Sequence, residues 1–105
     1  MNKTKNNQGD NITITREFIR KAKDLSPAAL VLALQLADNI GTDGFVTDSK
    51  GKPMVISDIH EVSGYSEKTV KRSMAELARQ KIYNRAKCGK TNVYSVNHMY
   101  IGGAK

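Results

Sequence analysis

Few side chains in this chain of 105 residues are suited to covalent or metal chemistry, and they are scattered. The histidines are His60 and His98, and the one cysteine is Cys88. A zinc site needs three or four Cys, His or carboxylate ligands at workable spacing. These three residues are too few and too far apart in sequence. Cys88 precedes Gly89 and Lys90 in a turn, a setting that suits a somewhat reactive thiol. No partner base is spaced to make it a nucleophile. Tyr65, Tyr83, Tyr94 and Tyr100 lack the His cluster that a metal-dependent DNA-nicking tyrosine would need, so they are expected in a core or an interface. Asp43, Asp48 and Asp58 do not have EF-hand spacing, and no Glu closes such a loop at its twelfth position. Gly41, Gly44 and Gly51 lack the Gly-Lys-Ser/Thr ending of a phosphate-binding loop. The expectation is a protein that is not an enzyme, with no metal and no cofactor.

Cations carry more information. Lys and Arg number 17 against 10 Asp and Glu, a formal net charge of +7. The isoelectric point near 9.7 lies in the range of nucleic-acid-binding domains. The charge is unevenly placed. Leu25 to Ser49 contains no Lys or Arg, only Asp38, Asp43 and Asp48. Ser66 to Lys90 contains Lys68, Lys71, Arg72, Arg79, Lys81, Arg85, Lys87 and Lys90, against Glu67 and Glu76. That asymmetry puts one basic face on an ordinary domain.

The elements that position those cations follow from spacing. Ser66 to Gln80 is an amphipathic helix with Ser66 as N-cap and Glu67 at the positive end of its dipole. Val70, Met74 and Leu77 form its apolar stripe. At about 100° per residue, Lys68, Arg72, Ala75 and Arg79 gather opposite, with Lys71 at the edge. Alone, such a face is as well explained by solvation as by a ligand. Its neighbours shift the balance. Ser57 to Ser63 is a short helix with Ser57 as cap and Ile59 and Val62 inward, and Gly64 breaks it. Two helices joined by a short Gly-containing turn are the helix-turn-helix signature. After the helix, Ile82 and Tyr83 begin a strand, Arg85 and Lys87 alternate outward, and Cys88-Gly89-Lys90 turns. Thr91 to Asn97 then returns, with Tyr94 and Val96 on one face. A solubilising edge hairpin is the plainer alternative. Directly after such a helix, a cationic hairpin is more readily a wing.

Upstream, Ile12-Thr13-Ile14 alternates like a short strand, and Thr15 caps a helix from about Arg16 to Asp24, with Phe18, Ala22 and Leu25 as its stripe. Ser26-Pro27 starts a helix that runs to Ile40 and is capped by Gly41. Its core arc holds Ala29, Leu30, Ala33, Leu34, Leu36, Ala37 and Ile40, with Val31 and Leu32 outside. A helix apolar almost all round is buried on more than one side, which favours a dimer contact over a purely central helix. Phe45-Val46-Thr47 and Met54-Val55-Ile56 form a small hairpin across Asp48 to Lys52.

From Ile56-Ser57-Asp58-Ile59 through Gly64-Tyr65-Ser66-Glu67-Lys68-Thr69-Val70-Lys71-Arg72 to Leu77, and on to Val96, the chain resembles the winged helix-turn-helix family. Arg16-Glu17-Phe18, Leu25-Ser26-Pro27, the Gly-Asp hairpin and Tyr94-Ser95-Val96-Asn97 extend the likeness. Together they are similar to the N-terminal DNA-binding domain of replication initiators from plasmids of Gram-positive bacteria. The resemblance implies an α+β fold: a winged helix-turn-helix with a small extra hairpin before the helix-turn-helix. It also implies a role on a plasmid or other mobile element. Such initiators carry further C-terminal sequence, so a stand-alone copy fits an accessory protein that marks an origin of replication or of conjugative transfer. A transcriptional repressor is the alternative, and a winged-helix protein-interaction module is the alternative of another class.

The expected organisation is a flexible tail over 1–11, the domain over 12–101 and a frayed end over 102–105, with a docked segment around Met99-Tyr100-Ile101. The expected partners are double-stranded DNA, a second copy in a homodimer, and a larger replication or transfer complex. No apolar run approaches the roughly 20 residues of a membrane span. A single Cys and no secretion signal suit a reducing cytoplasm. The expected DNA-binding residues are Ser66, Lys68, Thr69, Lys71 and Arg72 on the helix, and Arg85, Lys87, Lys90 and Thr91 on the wing.

Overall fold

The computed structural model describes residues 12–102, so the expected N-terminal tail lies outside the described residues. The described chain is an α+β domain of four helices and two small antiparallel sheets. Strand β1 (Thr13–Ile14) pairs with β4 (Ile101–Gly102). Between them run α1 (Arg16–Ala22), α2 (Pro27–Ala37), α3 (Ile56–Ser63), α4 (Glu67–Arg79), β2 (Tyr83–Cys88) and β3 (Thr91–Val96). Gly102 belongs to β4, so the docked segment extends one residue past the expected boundary.

Polar side chains set the helix starts. The hydroxyls of Thr15, Ser26 and Ser66 each accept the backbone N–H three residues on, from Phe18, Ala29 and Thr69. Helix α3 begins differently from expectation. Its cap is Val55, not Ser57, and the Asp58 carboxylate reaches back to accept the Val55 N–H at 3.0 Å. The side chain of Asp58, placed three residues after the cap, satisfies a donor that no helical carbonyl reaches. Glu76 ties α4 to α2: its carboxylate oxygens accept from both the N–H and the hydroxyl of Ser26, each at 2.8 Å.

Helix α2 ends at Ala37 with Asp38 in a right-handed cap, three residues short of the expected stop at Gly41. Tertiary pairing takes over the last turn. The Asn39 carbonyl accepts the Thr47 N–H, and Ile40 bridges Val46. The phase of α2 also differs from expectation. Leu32 is wholly buried with Ala29, Ala33 and Leu36, whereas Leu34 is exposed. Positions 29, 32, 33 and 36 are an i, i+3, i+4, i+7 stripe, and it packs against α4.

The hairpin expected before α3 is present as a bridge between Thr47 and Pro53, flanked by Asp48 N–H to Lys52 O and Met54 N–H to Val46 O. Ile56 turns into α3 instead of extending it. Phe45 has another partner: it bridges Ser95 of β3, and Val46 donates to the Tyr94 carbonyl at 2.8 Å. The stretch before α3 is thereby stitched to the last hairpin.

One continuous core fills the space between. Leu32, Leu36, Val46, Met54, Ile59, Val70, Met74, Leu77, Ile82, Tyr83 and Ile101 are all buried in it. At the end of α4, Lys81 takes φ 63. Its N–H bonds the Ala78 carbonyl and the Ile82 N–H bonds the Leu77 carbonyl. This doubly bonded left-handed stop turns the chain from α4 into β2.

Tyr83 spans the core. Its hydroxyl donates to the Ala33 carbonyl of α2 at 2.8 Å, and burial pushes the phenol far above the usual tyrosine range. An unfolded tyrosine ionises near pH 10. The folded protein keeps this proton, so the contribution is intact below that pH and is lost as pH rises above it. Stability is expected to fall by about 1.4 kcal/mol per pH unit there. Burial also raises Tyr94, against the pull of the Arg85 charge. Tyr83→Phe should lose about 0.5–1.5 kcal/mol at neutral pH but show a shallower alkaline slope, set by what Tyr94 contributes. Urea midpoints measured from neutral to alkaline pH check this, and equal slopes in the two proteins would show that Tyr83 ionises while folded.

Candidate nucleic-acid interface

Helix α4 sorts its residues cleanly. Val70, Ser73, Met74 and Leu77 are buried, and Lys68, Lys71, Arg72 and Arg79 are exposed. Ser73 was not expected inward, although at about 100° per residue it lies only about 40° past Leu77 at the edge of the apolar stripe. Packing of the buried stripe on α2 and α3 fixes the rotation of α4 and so aims its cations at solvent. Among the described residues, no side-chain hydrogen bond engages Lys68, Lys71, Arg72, Arg85, Lys87 or Lys90.

The expected hydroxyl contacts are partly committed elsewhere. Ser66 Oγ accepts from the Thr69 N–H and lies 3.1 Å from Thr69 Oγ1 as its donor. Thr69 is half-buried. Both therefore serve first to start the helix. Thr91 Oγ1 donates to the Cys88 carbonyl at 3.0 Å and closes the β2–β3 turn. Gly89 takes φ 66 at the first turn position, as a two-residue hairpin with glycine first requires.

The register of this hairpin corrects the reading of its cations. Tyr83 pairs with Val96, Arg85 with Tyr94 and Lys87 with Asn92. Directly paired residues share a sheet face, so Arg85 and Lys87 lie on the face of the core residues Tyr83 and Tyr94. They are exposed because every residue of β2 after Tyr83 extends past the core. Cys88, an exposed free thiol, lies on the opposite face.

The hairpin tip has neighbours that spacing does not reveal. Lys90, Thr91 and Asn92 form a cleft of about 270 Å³ with Val55, Ile56 and Ser57 at the start of α3. The bridge between Phe45 and Ser95 draws the two segments together.

The turn between α3 and α4 is built by three contacts. Gly64 takes φ 80 and its N–H bonds the His60 carbonyl; Tyr65 N–H bonds Ser63 Oγ; and His60 Nδ1 lies 2.6 Å from the Tyr65 carbonyl. His60 is thus half-buried and holds the turn. Val62, expected inward, is exposed, because Ile59, with Ile56 partly buried beside the core, carries the inward face of this short helix.

The three aspartates weighed for calcium each serve nearby backbone. Asp43 accepts from Phe45 N–H, Asp58 from Val55 N–H, and Asp48 from Lys50 and Lys52 N–H. The Lys52 N–H leads in holding the Asp48 carboxyl below its usual range; partial burial opposes it, and the Lys50 N–H and both lysine charges assist. Among the described residues no group of three His, Cys, Asp or Glu is placed to hold a metal ion. No helix there is long and apolar enough to cross a membrane.

The chain matches no protein-family model, no curated protein and no solved structure.

Proposed function

We propose that the domain is a winged helix-turn-helix that binds double-stranded DNA. In this reading α3 and α4 are the helix-turn-helix, and β2–β3 is the wing. The observation that carries it is the solvent-facing set Lys68, Lys71, Arg72, Arg85, Lys87 and Lys90, held on a packed helix and a projecting hairpin and, among the described residues, without side-chain hydrogen bonds. Lys and Arg so placed can pair with phosphate oxygens and, in the major groove, with guanine edges. Ser66, Thr69 and Thr91 retain acceptor lone pairs but are mainly structural. Arg79, at the far end of α4, lies outside the proposed contact.

The resemblance to plasmid initiator domains supports a role at an origin of replication or of transfer, with promoter repression as the alternative. The test is fluorescence anisotropy on a random-sequence duplex across a salt series. Nonspecific affinity should fall in the range of roughly 10⁻⁴–10⁻⁶ M at physiological salt. Lys71→Ala and Lys87→Ala should each weaken binding to all sequences and lower the salt slope by about 1. Salt dependence unchanged in both variants would remove this face from the reading.

A further inference from the structure

The small hairpin closed by Thr47 and Pro53 carries two cations outside the helix and wing. Lys50 and Lys52 are exposed, as are Ser49, Gly51 and Pro53. The loop is firmly built. Gly51 takes φ 84 and its N–H bonds the Asp48 carbonyl, as in a three-residue hairpin loop with glycine in the left-handed position. Asp48 Oδ1 accepts from the N–H groups of both Lys50 and Lys52 at 2.9 Å. Backbone groups and one carboxylate therefore hold the loop. Among the described residues, neither lysine ammonium makes a hydrogen bond.

Strand pairing fixes where those cations stand. Val46 is the point at which two hairpins part: its N–H bonds the Tyr94 carbonyl of β3, and its carbonyl takes the Met54 N–H. The N–H and C=O of one strand residue point to the same edge. So β3 and the return limb at 53–54 follow one another along one edge of 45–47. Phe45 pairs antiparallel with Ser95. The chain leaving Val46 therefore runs the same way as β3 followed backward from Tyr94. Lys50 lies four positions beyond Val46, and Lys90 four positions before Tyr94. At 3.3 Å per residue, each tip reaches at most about 13 Å from the parting point. The next segment joins the two. Val55, Ile56 and Ser57 line a cleft with Lys90, Thr91 and Asn92. Lys52 is three positions before Val55, at most roughly 11 Å along the chain. Lys50 and Lys52 thus stand at the same end of the domain as Lys87 and Lys90, on a second prong beside the wing.

We propose that this prong grips the DNA backbone beside the wing, as a contact separate from α4 and β2–β3. The proposal rests on the DNA-binding reading of those two elements. Residue type sets the kind of contact. Lysine is a point charge on a flexible stem, suited to phosphate, so the prong adds affinity without sequence preference. Asp48 opposes it, because its carboxylate offsets part of the lysine charge facing the duplex. Both turn hydrogen bonds fall on one oxygen of Asp48. Asparagine there would keep the acceptor and drop the charge.

Anisotropy on a random-sequence duplex across a salt series tests the proposal, with Lys71→Ala and Lys87→Ala measured alongside. The double variant Lys50→Ala/Lys52→Ala should lower the salt slope by up to roughly 1.8, at about 0.9 per phosphate contact. Its thermal midpoint should be unchanged, since neither side chain holds the loop. Asp48→Asn carries the test in the opposite direction and should tighten binding. Lys23→Ala is the control for loss of charge alone. Lys23 is exposed at the end of α1, whose Lys21 reaches Gln80 where α4 ends, at the base of the wing and away from its tip. That control should leave the slope unchanged. If Lys71→Ala and Lys87→Ala lower the slope and the double variant does not, the prong is no contact, and the helix-and-wing reading stands. An equal fall with Lys23→Ala, or binding not tightened by Asp48→Asn, also overturns the prong. No binding by the wild-type protein, or a slope unmoved by Lys71→Ala and Lys87→Ala, removes the DNA reading and the prong together.

Discussion

Replacing Leu32 with Ala should cost about 2–5 kcal/mol, whereas Leu34→Ala should stay within about 0.5 kcal/mol of the wild type. Both positions are leucine on the same helix, and only the rotation of α2 distinguishes them. Leu32 is wholly buried on the stripe of α2 that packs against α4, so its loss removes apolar burial and leaves a cavity in the core. Folded domains of this size are held by only about 5–15 kcal/mol, so the Leu32 variant should be partly unfolded at moderate temperature. Urea denaturation of the two variants checks the contrast. Equal losses would mean that α2 is rotated from its described phase.

The contrast also shows where sequence reading runs out. The run Ala28-Ala29-Leu30-Val31-Leu32-Ala33-Leu34 is apolar at every position, so periodicity offers no unique phase, and Leu34, expected inward, is exposed. Helix α4 posed no such ambiguity, because charged and apolar residues alternate at helical spacing and the packed face was legible throughout except at Ser73. The caps at Thr15, Ser26 and Ser66 were legible because a hydroxyl followed by a helical pattern has one obvious use. The cap of α3 was not, because it depends on an aspartate reaching backward to a valine. The pairing of Phe45 with Ser95 was equally hidden. Nothing in either segment announces a partner half the chain away, and that pairing sets where the hairpin tip lies.

Converting Lys68, Lys71 and Arg72 together to Ala should lower the salt slope of DNA binding by up to roughly 2.7, at about 0.9 per phosphate contact. The same change at Arg85, Lys87 and Lys90 should do likewise if the hairpin grips the backbone equally. All six positions are exposed, so neither variant should lose more than a few tenths of a kcal/mol in stability. The pair of variants separates two roles that the geometry permits for each element. The element that reads bases should, when stripped, lose preference for a site selected from a random pool as well as affinity. The element that only grips phosphate should lose affinity uniformly across sequences. Two variants that bind like the wild type would remove the basic face from consideration altogether.

The pairing of β1 with β4 bears on how the protein is made. Thr15 donates its hydroxyl to the Tyr100 carbonyl, 85 positions along the chain, and Ile14 pairs with Ile101. Closing so long a loop is entropically costly and tends to come late. On the ribosome, β1 emerges first and has no strand to pair with until Ile101 has cleared the exit tunnel. The helices can assemble during synthesis, but the last latch is set only after nearly all of the described chain has been translated. Until then Ile14 lacks its strand partner, and the nascent domain is most open to proteases and chaperones during that interval.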